Sequence, residues 1–598
     1  MSDLQQEEDL AAKRLDRTMA RRMLALLVPV APRVMLVILV EMLLVGSVIS
    51  RPWFLREVID HGLVPAGHGW RLDYAVLALS ISGLAGVWLV RFVLGGVGQY
   101  LAGTVAVHVL NDLRARVFSH VQALSVRYFD RTKAGRIIAR ADRDVDSLEP
   151  AVIHGPPELL GMALRCLGAG WLLYLISARL FWVLFPLLPA LGLAMAIFQR
   201  AGSRVWARVA EAKSRVTAHL CESISGVRVL QQHGFEARNQ VLYQSLLTQL
   251  DRSSVNGTWA WGWFGPFSAV LFTIGMAALV LEGGAEVTTG RITPGQLAQA
   301  LFYLNIFLGP LQELGDLYEK IATATAAAQR IFLLLDTPIE IGNAPGAREL
   351  TGATGAVAFE DLSFSYNRDD PFVISHLNLP IPAGQVLAIV GPTGHGKSTL
   401  VQLLTRFYEP TGGRITLDGV DIRTITQESL RRQVAVVLQD NILFSGSIFE
   451  NLRLARPEAS DAQLTSAIRD LGADEILSRL PRGYQTLVGP SGLNLSHGQR
   501  QLVCLVRAYL ADPRVLVLDE ATSSVDVHTE QRLQKALRRL CVGRTAIIIA
   551  HRLATIRDAD RIVVIRHGAL IEDGTHQQLM AQAGTYASLY QAYARAAG

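Results

Sequence analysis

The chain has 598 residues, of which 50% are hydrophobic and only 18% are charged. Such an apolar excess is typical of a membrane protein whose hydrophobic residues are concentrated in part of the chain. The net charge of +5 is too small to indicate nucleic-acid binding, and arginines that flank membrane segments explain it better. Four cysteines without C-x-x-C spacing argue against a disulfide framework or a zinc site: Cys166, Cys221, Cys504 and Cys541.

The N-terminal residues are acidic and polar, and no cleavable signal peptide is visible among them. From about residue 15 to residue 30, basic and apolar residues then alternate at helical spacing. This pattern predicts either an amphipathic helix on the inner face of a membrane or the basic flank of a first membrane span.

Six apolar stretches follow, and each approaches the ~20 residues that a helix needs to cross a bilayer. The connections after the second and fourth stretches are long and rich in arginine, whereas the other connections are short. The positive-inside rule therefore places the N-terminus and both long connections in the cytoplasm. The predicted spans cover residues 34–56, 74–101, 158–176, 180–199, 260–282 and 295–313.

Both long connections are predicted to be mainly helical and to form hairpins that project into the cytoplasm. At ~1.5 Å per residue, an extension of about twenty-five residues reaches nearly 40 Å from the membrane. The hairpin tips, near residues 131–136 and 225–228, are the expected contacts with another cytoplasmic element.

The sequence pattern changes after a linker at residues 341–347 that contains glycine, proline and alanine. Beyond the linker, β-strands are followed by strand–helix alternation, and no further membrane span is predicted. We therefore expect an all-α transmembrane domain of six spans over residues 1–337 and a soluble α/β domain over residues 338–598.

The stretch Gly391–Ser398 fits the pattern G-x-x-x-x-G-K-[ST] and follows an apolar run typical of a buried parallel strand. Its glycines allow backbone N–H groups to surround the phosphates of a nucleoside triphosphate, next to a helix N-terminus. Lys397 is placed to reach the β- and γ-phosphates, and the Ser398 hydroxyl is placed to hold Mg²⁺. The residues expected to contact the nucleotide here are Gly391, Thr393, Gly394, Gly396, Lys397, Ser398 and Thr399.

Three other apolar runs also end in polar residues, as expected where ligands sit at the carboxyl ends of strands in an open α/β sheet. These residues are Gln439, Asp519 with Glu520, and His551. Asp519 is predicted to hold Mg²⁺, and Gln439 to contact both the metal and the attacking water. Glu520 is predicted to be the general base, and His551 to donate a hydrogen bond to the γ-phosphate.

Ser496 and Gln499 have the spacing of a capping box before a helix predicted over residues 500–510. A well-capped helix explains this spacing by itself. The alternative is a helix N-terminus that faces a phosphate bound to another subunit.

Together these motifs resemble those of an ATP-binding cassette (ABC) transporter of the exporter type, a half-transporter whose membrane domain is fused to its cassette. Gly391–Ser398 matches the Walker A loop and residues 515–520 match the Walker B strand. Residues 495–499 match the signature sequence, Gln439 the Q-loop and His551 the switch histidine. The α/β domain is thereby identified as a P-loop NTPase of the ABC cassette type.

The resemblance implies further roles. Asp526 lies in a stretch that matches the D-loop, and Tyr366 falls where the family stacks an aromatic ring on adenine. Two cassettes would close head to tail, with each ATP between one chain's Walker A loop and the other chain's signature residues. A homodimer or heterodimer is therefore required, the hairpin tips become coupling helices, and the signature residues that contact nucleotide are Ser496, Gly498 and Gln499.

Three residues depart from the family's pattern. His395 lies inside the phosphate loop, His497 replaces the usual glycine of the signature, and Pro490 stands where exporters usually have glutamate. Because the positions that carry hydrolysis all match, we expect a competent ATPase with ATP and Mg²⁺ as its cofactors.

We therefore expect ATP-driven export of a hydrophobic or amphipathic compound (drug-like, lipid or peptide) across the inner (plasma) membrane, by alternating access. One alternative is an importer of metal–chelator complexes that uses the exporter fold. Another is an ATP-gated channel or regulatory subunit.

Charged and aromatic residues in the predicted spans do not identify the transported substrate. Glu41, Arg91 and Arg165 lie within spans one, two and three, and they either line a polar cavity or form structural pairs. An aromatic group at the start of span five is either a substrate wall or an interfacial belt: Trp259, Trp261, Trp263 and Phe264.

Overall fold

The computed structural model describes residues 17–597 except 67–68, 133, 368–369, 439–440, 520–526 and 550–555. The chain divides into two compact units. The first comprises residues 1–122 and 134–337, and the second comprises residues 123–133 and 338–598. The short segment 123–133 thus belongs with the C-terminal half of the chain, although both segments that flank it belong to the first unit.

The N-terminal half is helical, apart from a small hairpin of β1 (Leu63–Ala66) and β2 (Gly69–Leu72). The helices are α1 (Arg17–Ala25), α2 (Ala31–Glu57), α3 (Tyr74–Ala123), α4 (Val126–Arg131), α5 (Ala134–Ala141), α6 (Arg143–Asp146), α7 (Gly155–Ile176), α8 (Ala178–Leu184), α9 (Leu187–Ser225), α10 (Val227–Gln232), α11 (Glu236–Gly262), α12 (Phe264–Thr288) and α13 (Pro294–Leu335).

Five helical segments of the described chain are long and apolar enough to cross a membrane: Val28–Gly62, Tyr74–Ala123, Ala134–Ile176, Ala178–Phe198 and Glu236–Thr288. They coincide with the first five predicted spans. The sixth predicted span, residues 295–313, lies at the start of α13 and is not among these segments of the described chain. Its polar side chains at Gln296, Gln299 and Asn305 lower the mean hydropathy there.

The fourth predicted span is not one continuous helix. α8 ends at Leu184 and α9 begins at Leu187, with Pro186 as its N-cap residue. Proline has no backbone N–H to donate and is disfavoured in a helix interior, which explains why the helix is interrupted at Pro186. The fifth predicted span likewise starts in α11 and continues in α12 after a break at Trp263.

Long helices occupy both of the connections that are predicted to form hairpins. α3 has 50 residues and α9 has 39, so both extend well beyond the ~20 residues that cross a bilayer. Short helices form the two tips, α4 in the first hairpin and α10 in the second. The predicted N-terminal helix is α1, whose Arg22 forms an ion pair of 2.6 Å with Asp336 at the end of α13.

The C-terminal half contains a six-stranded sheet in the order β14-β13-β5-β12-β11-β8, in which only β14 is antiparallel to its neighbour. A second sheet is antiparallel, in the order β4-β3-β6-β7. The strands are β3 (Val357–Phe364), β4 (Ile374–Ile381), β5 (Val386–Val390), β6 (Gly412–Leu417), β7 (Val420–Asp421), β8 (Val434–Val437), β9 (Gly446–Ser447), β10 (Leu487–Val488), β11 (Val515–Asp519), β12 (Thr545–Ile549), β13 (Arg561–Arg566) and β14 (Ala569–Gly574).

The described helices of this half are α14 (Lys397–Leu404), α15 (Gln427–Gln433), α16 (Ile448–Arg453), α17 (Asp461–Asp470), α18 (Asp474–Leu477), α19 (His497–Leu510), α20 (Val527–Cys541), α21 (His576–Ala581) and α22 (Thr585–Ala597). The six-stranded sheet lies between two hydrophobic clusters. Along β5, Leu387 and Ile389 enter one hydrophobic cluster, whereas Ala388 and Val390 enter the other. Since successive side chains of a strand point to opposite faces, both faces of the sheet are buried. This explains why its strands are continuous apolar runs in the sequence.

Asp418 joins the start of the cassette to the turn between β6 and β7. Its carboxylate accepts hydrogen bonds from the backbone N–H groups of Thr354 (2.7 Å), Gly355 (3.1 Å) and Ala356 (2.8 Å), and from the Thr354 hydroxyl (2.5 Å). Burial raises the pKa of Asp418, but these hydrogen bonds outweigh it and hold the pKa below the usual 3.8.

Replacing Asp418 by asparagine should destabilise the cassette, because the amide N–H₂ cannot accept these hydrogen bonds. We expect a loss of about 1–3 kcal/mol near neutral pH, measured as a lower melting temperature of the full-length protein. Because the folded-state pKa is depressed, this contribution is present above the unfolded value of 3.8 and is lost as the pH falls below it. The difference in melting temperature between the Asp418→Asn variant and the unmodified protein should therefore shrink below pH 3.8. The exposed control, Glu458→Gln, should have the melting temperature of the unmodified protein. If Asp418→Asn lowers the melting temperature equally at neutral and at acidic pH, the charge of the carboxylate has no such role.

Candidate functional site

The carboxyl ends of four parallel strands lie at one edge of the six-stranded sheet. β5, β12, β11 and β8 are neighbours, with Ile549 of β12 opposite both Ile389 of β5 and Asp519 of β11. At ~4.8 Å per strand, Asp519 lies about 10 Å across the sheet from the end of β5, where the phosphate loop begins. The strands thus bring Gly391 and Asp519 to one edge.

Gln439, Glu520, Asp526 and His551 lie outside the described residues, so their roles stay predictions.

The phosphate loop has a backbone that favours glycine at three positions, among which Gly394 has a φ of 82°. Gly391 has a φ of 155°, and a Cβ there would collide with the backbone carbonyl oxygen of Ile565 in β13. Gly396 has a φ of 94° and is the left-handed N-cap residue of α14. These conformations turn the chain tightly from β5 into α14, and the N-terminus of that eight-residue helix favours an anion.

Lys397 is buried, with 5% of its surface exposed. Its Nζ donates hydrogen bonds to the carbonyl oxygens of Gly391 (2.8 Å) and Pro392 (2.9 Å), so the charge is held inside the loop. Thr393, Gly394 and Ser398 are exposed beside it. A buried cation bordered by exposed polar groups and backbone N–H groups suits a phosphate chain.

His395, the unusual residue of this loop, packs against the turn between β13 and β14. Its Nδ1 accepts a hydrogen bond of 2.8 Å from the backbone N–H of His567, and the two rings lie 4.7 Å apart. Desolvation and the positive charges of His567, Lys397 and Arg566 lower the pKa of His395. The neutral imidazole, which can accept that hydrogen bond, is therefore favoured.

The oxygen groups at this edge fit a magnesium ion. Asp519 is half-buried at the end of β11, and Ser398 is exposed in the first turn of α14. Carboxylate and hydroxyl oxygens are the hard ligands that Mg²⁺ prefers.

Ser496 and Gln499 form the predicted capping box at the start of α19. The Ser496 Oγ accepts from the Gln499 N–H (3.2 Å), and the Gln499 Oε1 accepts from the Ser496 N–H (2.8 Å). Because Ser496 is the cap, the helix begins at His497, three residues before the predicted start at residue 500. Ser496 is exposed and Gly498 is buried, and their contact with a phosphate stays a prediction.

Tyr366 reaches from the end of β3 to the helix that follows the phosphate loop. Its hydroxyl donates to Gln402 Oε1 (3.0 Å) and lies 3.0 Å from Thr399 Oγ1. Its ring meets the ring of Tyr408 edge to face, with 5.3 Å between centroids. The Tyr408 hydroxyl in turn donates a hydrogen bond of 2.6 Å to Asp130 Oδ2 in α4. Two tyrosines therefore connect the phosphate-loop helix to the tip of the first hairpin.

Further polar contacts fix this tip. Arg131 donates a hydrogen bond to Asn367, and Arg127 forms an ion pair of 3.4 Å with Glu340. The Arg127 guanidinium also lies 5.4 Å from the centroid of the Tyr408 ring. The sequence analysis located this tip but missed Tyr408 and Asp130, because no local motif marks a pair that meets only in the fold.

Two of the three predicted membrane charges, Glu41 and Arg165, lie where α2, α7 and α13 contact one another. Arg165 of α7 forms an ion pair of 2.7 Å with Glu313 of α13, and Lys320 of α13 pairs with Glu158 of α7 at 3.2 Å. The Glu41 carboxylate of α2 lies against α7, since a Cβ added at Gly161 would be 2.6 Å from its Oε1.

Arg91 and the aromatic group at span five take other positions. The Arg91 guanidinium lies 5.5 Å from the Trp88 ring on its own helix. Trp259 and Trp263 are exposed and meet edge to face at 5.5 Å, whereas Phe264 is buried against Phe198. Phe264 therefore does not share the surface that Trp259 and Trp263 form.

Two family models match the chain. The model of the ABC transporter transmembrane region matches residues 34–311, and the model of the ABC transporter matches residues 374–523. This chain belongs to the ABC transporter family. The predicted resemblance and the predicted combination of a helical membrane domain with a cassette are thereby confirmed.

Relatives of this transporter are similar over most of their length. An uncharacterized ABC transporter ATP-binding protein of Bacillus subtilis, YknV, is 40% identical over 81% of this chain and 80% of its own. A fatty acid ABC transporter ATP-binding/permease protein of Mycobacterium bovis is 35% identical over 88% of this chain and 83% of its own. The solved structure of a bacterial Atm1-family ABC exporter with ATP bound superposes with a TM-score of 0.80 at 28% identity, covering 98% of this chain and 99% of that one.

The family membership confirms several predictions at once. This transporter is a multi-pass membrane protein of the exporter type, and it binds ATP and couples ATP hydrolysis to transport. Which residues perform the hydrolysis stays a prediction from the sequence.

The hydrogen bond between Tyr408 and Asp130 should hold the hairpin tip on the cassette. Replacing Tyr408 by phenylalanine keeps the ring packing but removes this bond, which is worth about 1 kcal/mol or more to an ionised acceptor. We expect amide hydrogens of residues 126–131 to exchange about five times faster or more, as measured by hydrogen-exchange mass spectrometry.

A matched control is Tyr484→Phe, which removes the hydrogen bond from Tyr484 to Asp474 inside the cassette. That variant should leave exchange at residues 126–131 unchanged. Equal exchange at the tip in Tyr408→Phe and in the unmodified transporter would show that the bond does not hold the tip.

Proposed function

We propose that this ABC transporter exports a hydrophobic or amphipathic compound (drug-like, lipid or peptide) across the plasma membrane, as a dimer that alternates its access. The observation that carries the proposal is the charged cluster on three membrane helices. Its members are Glu41, Glu158, Arg165, Glu313 and Lys320. The relative from Mycobacterium bovis, whose name specifies fatty acid, supports an amphipathic substrate.

Charges within membrane helices are costly and usually serve a function. In this cluster the Arg165 side chain is 25% exposed and the Glu313 side chain is 46% exposed, so the ion pair is not sealed inside the helices. An open ion pair next to apolar helix surface provides polar groups for a head group and apolar contact for the rest of an amphipath.

The second hairpin supports the dimer. Val229 in α10 and Phe235 just after it are 60% and 40% exposed, although both are apolar. A hairpin tip with exposed apolar residues suits docking on another surface, and the cassette of the second subunit is the surface that we propose. The division into a membrane domain over residues 1–337 and a cassette over residues 338–598 is part of this proposal.

Each ATP would lie between the phosphate loop of one subunit and Ser496, Gly498 and Gln499 of the other, next to Asp526. Lys397 neutralises phosphate charge, and the Tyr366 ring stacks on adenine. Gly391, Thr393, Gly394, Gly396 and Thr399 complete the loop around the phosphates.

Hydrolysis in this proposal is divided among five residues. Ser398, Asp519 and Gln439 hold Mg²⁺, which when bound draws charge away from the phosphates and favours their transfer to water. Glu520 accepts a proton from the attacking water. His551 donates a hydrogen bond to the γ-phosphate as negative charge develops on it.

Transport by inside-out vesicles tests the proposal. We expect ATP-dependent accumulation of a fluorescent long-chain fatty acid analogue, because export from a cell is uptake into such vesicles. Lys397→Ala should abolish nucleotide binding, whereas Glu520→Gln should bind ATP without turning it over, and neither should accumulate the probe. ATP-driven release of preloaded probe would instead favour import, and ion current without turnover would favour a channel.

A charge swap tests the role of the ion pair in substrate contact. Arg165→Glu should reduce transport by about tenfold or more, because it places two carboxylates together in the membrane. The double variant Arg165→Glu with Glu313→Arg restores the pair in reverse order. If the pair contacts the head group, the swap should recover the melting temperature but not transport of the anionic probe. Full recovery of transport would show that the pair is only structural.

A further inference from the structure

Two arginines and one tryptophan come together on α2 and α3. The Arg51 guanidinium of α2 lies 4.5 Å from the centroid of the Trp88 ring on α3, and the Arg91 guanidinium lies 5.5 Å from the same centroid. All three residues fall within the first two predicted spans. Arg51 lies fewer than two helical turns before the end of α2 at Glu57, and the positive-inside rule places that end away from the cytoplasm.

Neither of these arginines has an acidic partner at ion-pair distance among the described residues. Other arginines of the membrane helices do have one, since Arg165 pairs with Glu313 and Arg179 with Glu282. Glu41 interacts with Arg91 only at longer range, and its interaction with Arg165 is the stronger one.

Two neighbouring cations repel each other, and the repulsion is strongest where the dielectric constant is low. Contact with one aromatic ring offsets only part of the cost of placing such charges within membrane helices. The surface formed by Arg51, Trp88 and Arg91 therefore carries positive charge that an anion would stabilise.

These charges are accessible from outside the helices. Trp88 is 52% exposed and Arg91 is half-buried. In Arg51, Nε and Nη2 are buried without a hydrogen-bond partner among the described residues, whereas Nη1 is not among such atoms and is the nitrogen left for a ligand. The neighbouring apolar side chains of α3 are also open, since Leu89 is 65% exposed and Phe92 is 80% exposed.

We propose that Arg51 and Arg91 bind the oxyanion head group, a carboxylate or a phosphate, of an amphipath whose apolar chain lies along Leu89 and Phe92. Guanidinium groups bind such oxyanions through charge-assisted hydrogen bonds, often two at a time. Trp88 is a positioning residue that holds both guanidinium groups at one ring. The proposal rests on the proposed export function only for its meaning as a stage of transport, because binding itself needs neither ATP nor transport.

Tryptophan quenching tests the proposal, because Trp88 is part of the site. The probe is a long-chain fatty acid with a dibrominated chain, and the control probe is its uncharged methyl ester. Quenching is measured in the full-length transporter without ATP, in a non-ionic detergent at about pH 9, where the acid is ionised. The part of the quenching that is lost in Trp88→Phe is the signal from this site. We expect the acid to bind about tenfold more tightly than the ester, because only the acid gains charge-assisted hydrogen bonds.

The double variant Arg51→Gln with Arg91→Gln should bind both probes with equal affinity. Its melting temperature should not fall, because two cations that repel each other have been removed. Arg91→Lys should keep most of the ratio, because the positive charge remains. Arg179→Gln is the matched control, since it removes one arginine that has its own carboxylate partner and should keep the tenfold ratio.

A phosphatidic acid with the same brominated chain separates the two sources of the oxyanion. If it binds more tightly than the fatty acid, the site takes a phospholipid head group, and if it binds more weakly, the site takes a carboxylate.

Four results would overturn the proposal: equal binding of acid and ester to the unmodified transporter, an unchanged ratio in the double variant, a lower melting temperature of that variant, or full quenching in Trp88→Phe. Binding with the expected ratio but no ATP-driven accumulation in vesicles would contradict export alone. Accumulation in vesicles without the expected ratio would contradict this site alone.

Discussion

The hydrogen-bonded register of four parallel strands is the constraint on which the ATPase half of this transporter depends. β5, β12, β11 and β8 run in the same direction and are buried on both faces, so their carboxyl ends are held at one edge. The sequence predicts that Asp519 shares a metal ion with the phosphate loop, and such a shared site needs a fixed distance between the two. The sheet supplies that distance between Gly391 and Asp519 through backbone hydrogen bonds, independently of the side chains at the edge.

Side-chain contacts beyond the parallel sheet connect the phosphate-loop helix to the hairpin tip. Tyr366 at the end of β3 contacts the phosphate-loop helix, and Tyr408 beyond that helix contacts Asp130 at the hairpin tip. Burial and the Asp130 carboxylate raise the pKa of Tyr408, so its hydroxyl stays protonated and remains a donor. A short path of ring contacts and hydrogen bonds can transmit a change at the phosphates, because packed side chains have little freedom to absorb it.

The membrane half depends on how polar groups are satisfied in apolar surroundings. Arg165 and Glu313 neutralise each other, and Tyr303 uses its hydroxyl twice, as donor and as acceptor. A polar group without a partner is costly there, because hydrocarbon contains no water that could supply the missing hydrogen bond. Gln299 is an exception, because its buried Oε1 accepts no hydrogen bond from the residues that the structure describes.

The sequence by itself determined the family, the helical hairpins and the strands of the cassette, because apolar periodicity and the Walker A spacing are local properties of the chain. It also determined the capping box of Ser496, although the helix starts earlier than predicted. Only the tertiary structure decided that Tyr408 meets Asp130, that Arg165 pairs with Glu313, and that Gln299 Oε1 has no donor among the described residues. The first two contacts join residues that are far apart in the chain. The third depends on which neighbours form hydrogen bonds with the Gln299 amide. Neither property can be predicted from the spacing of residues in the sequence.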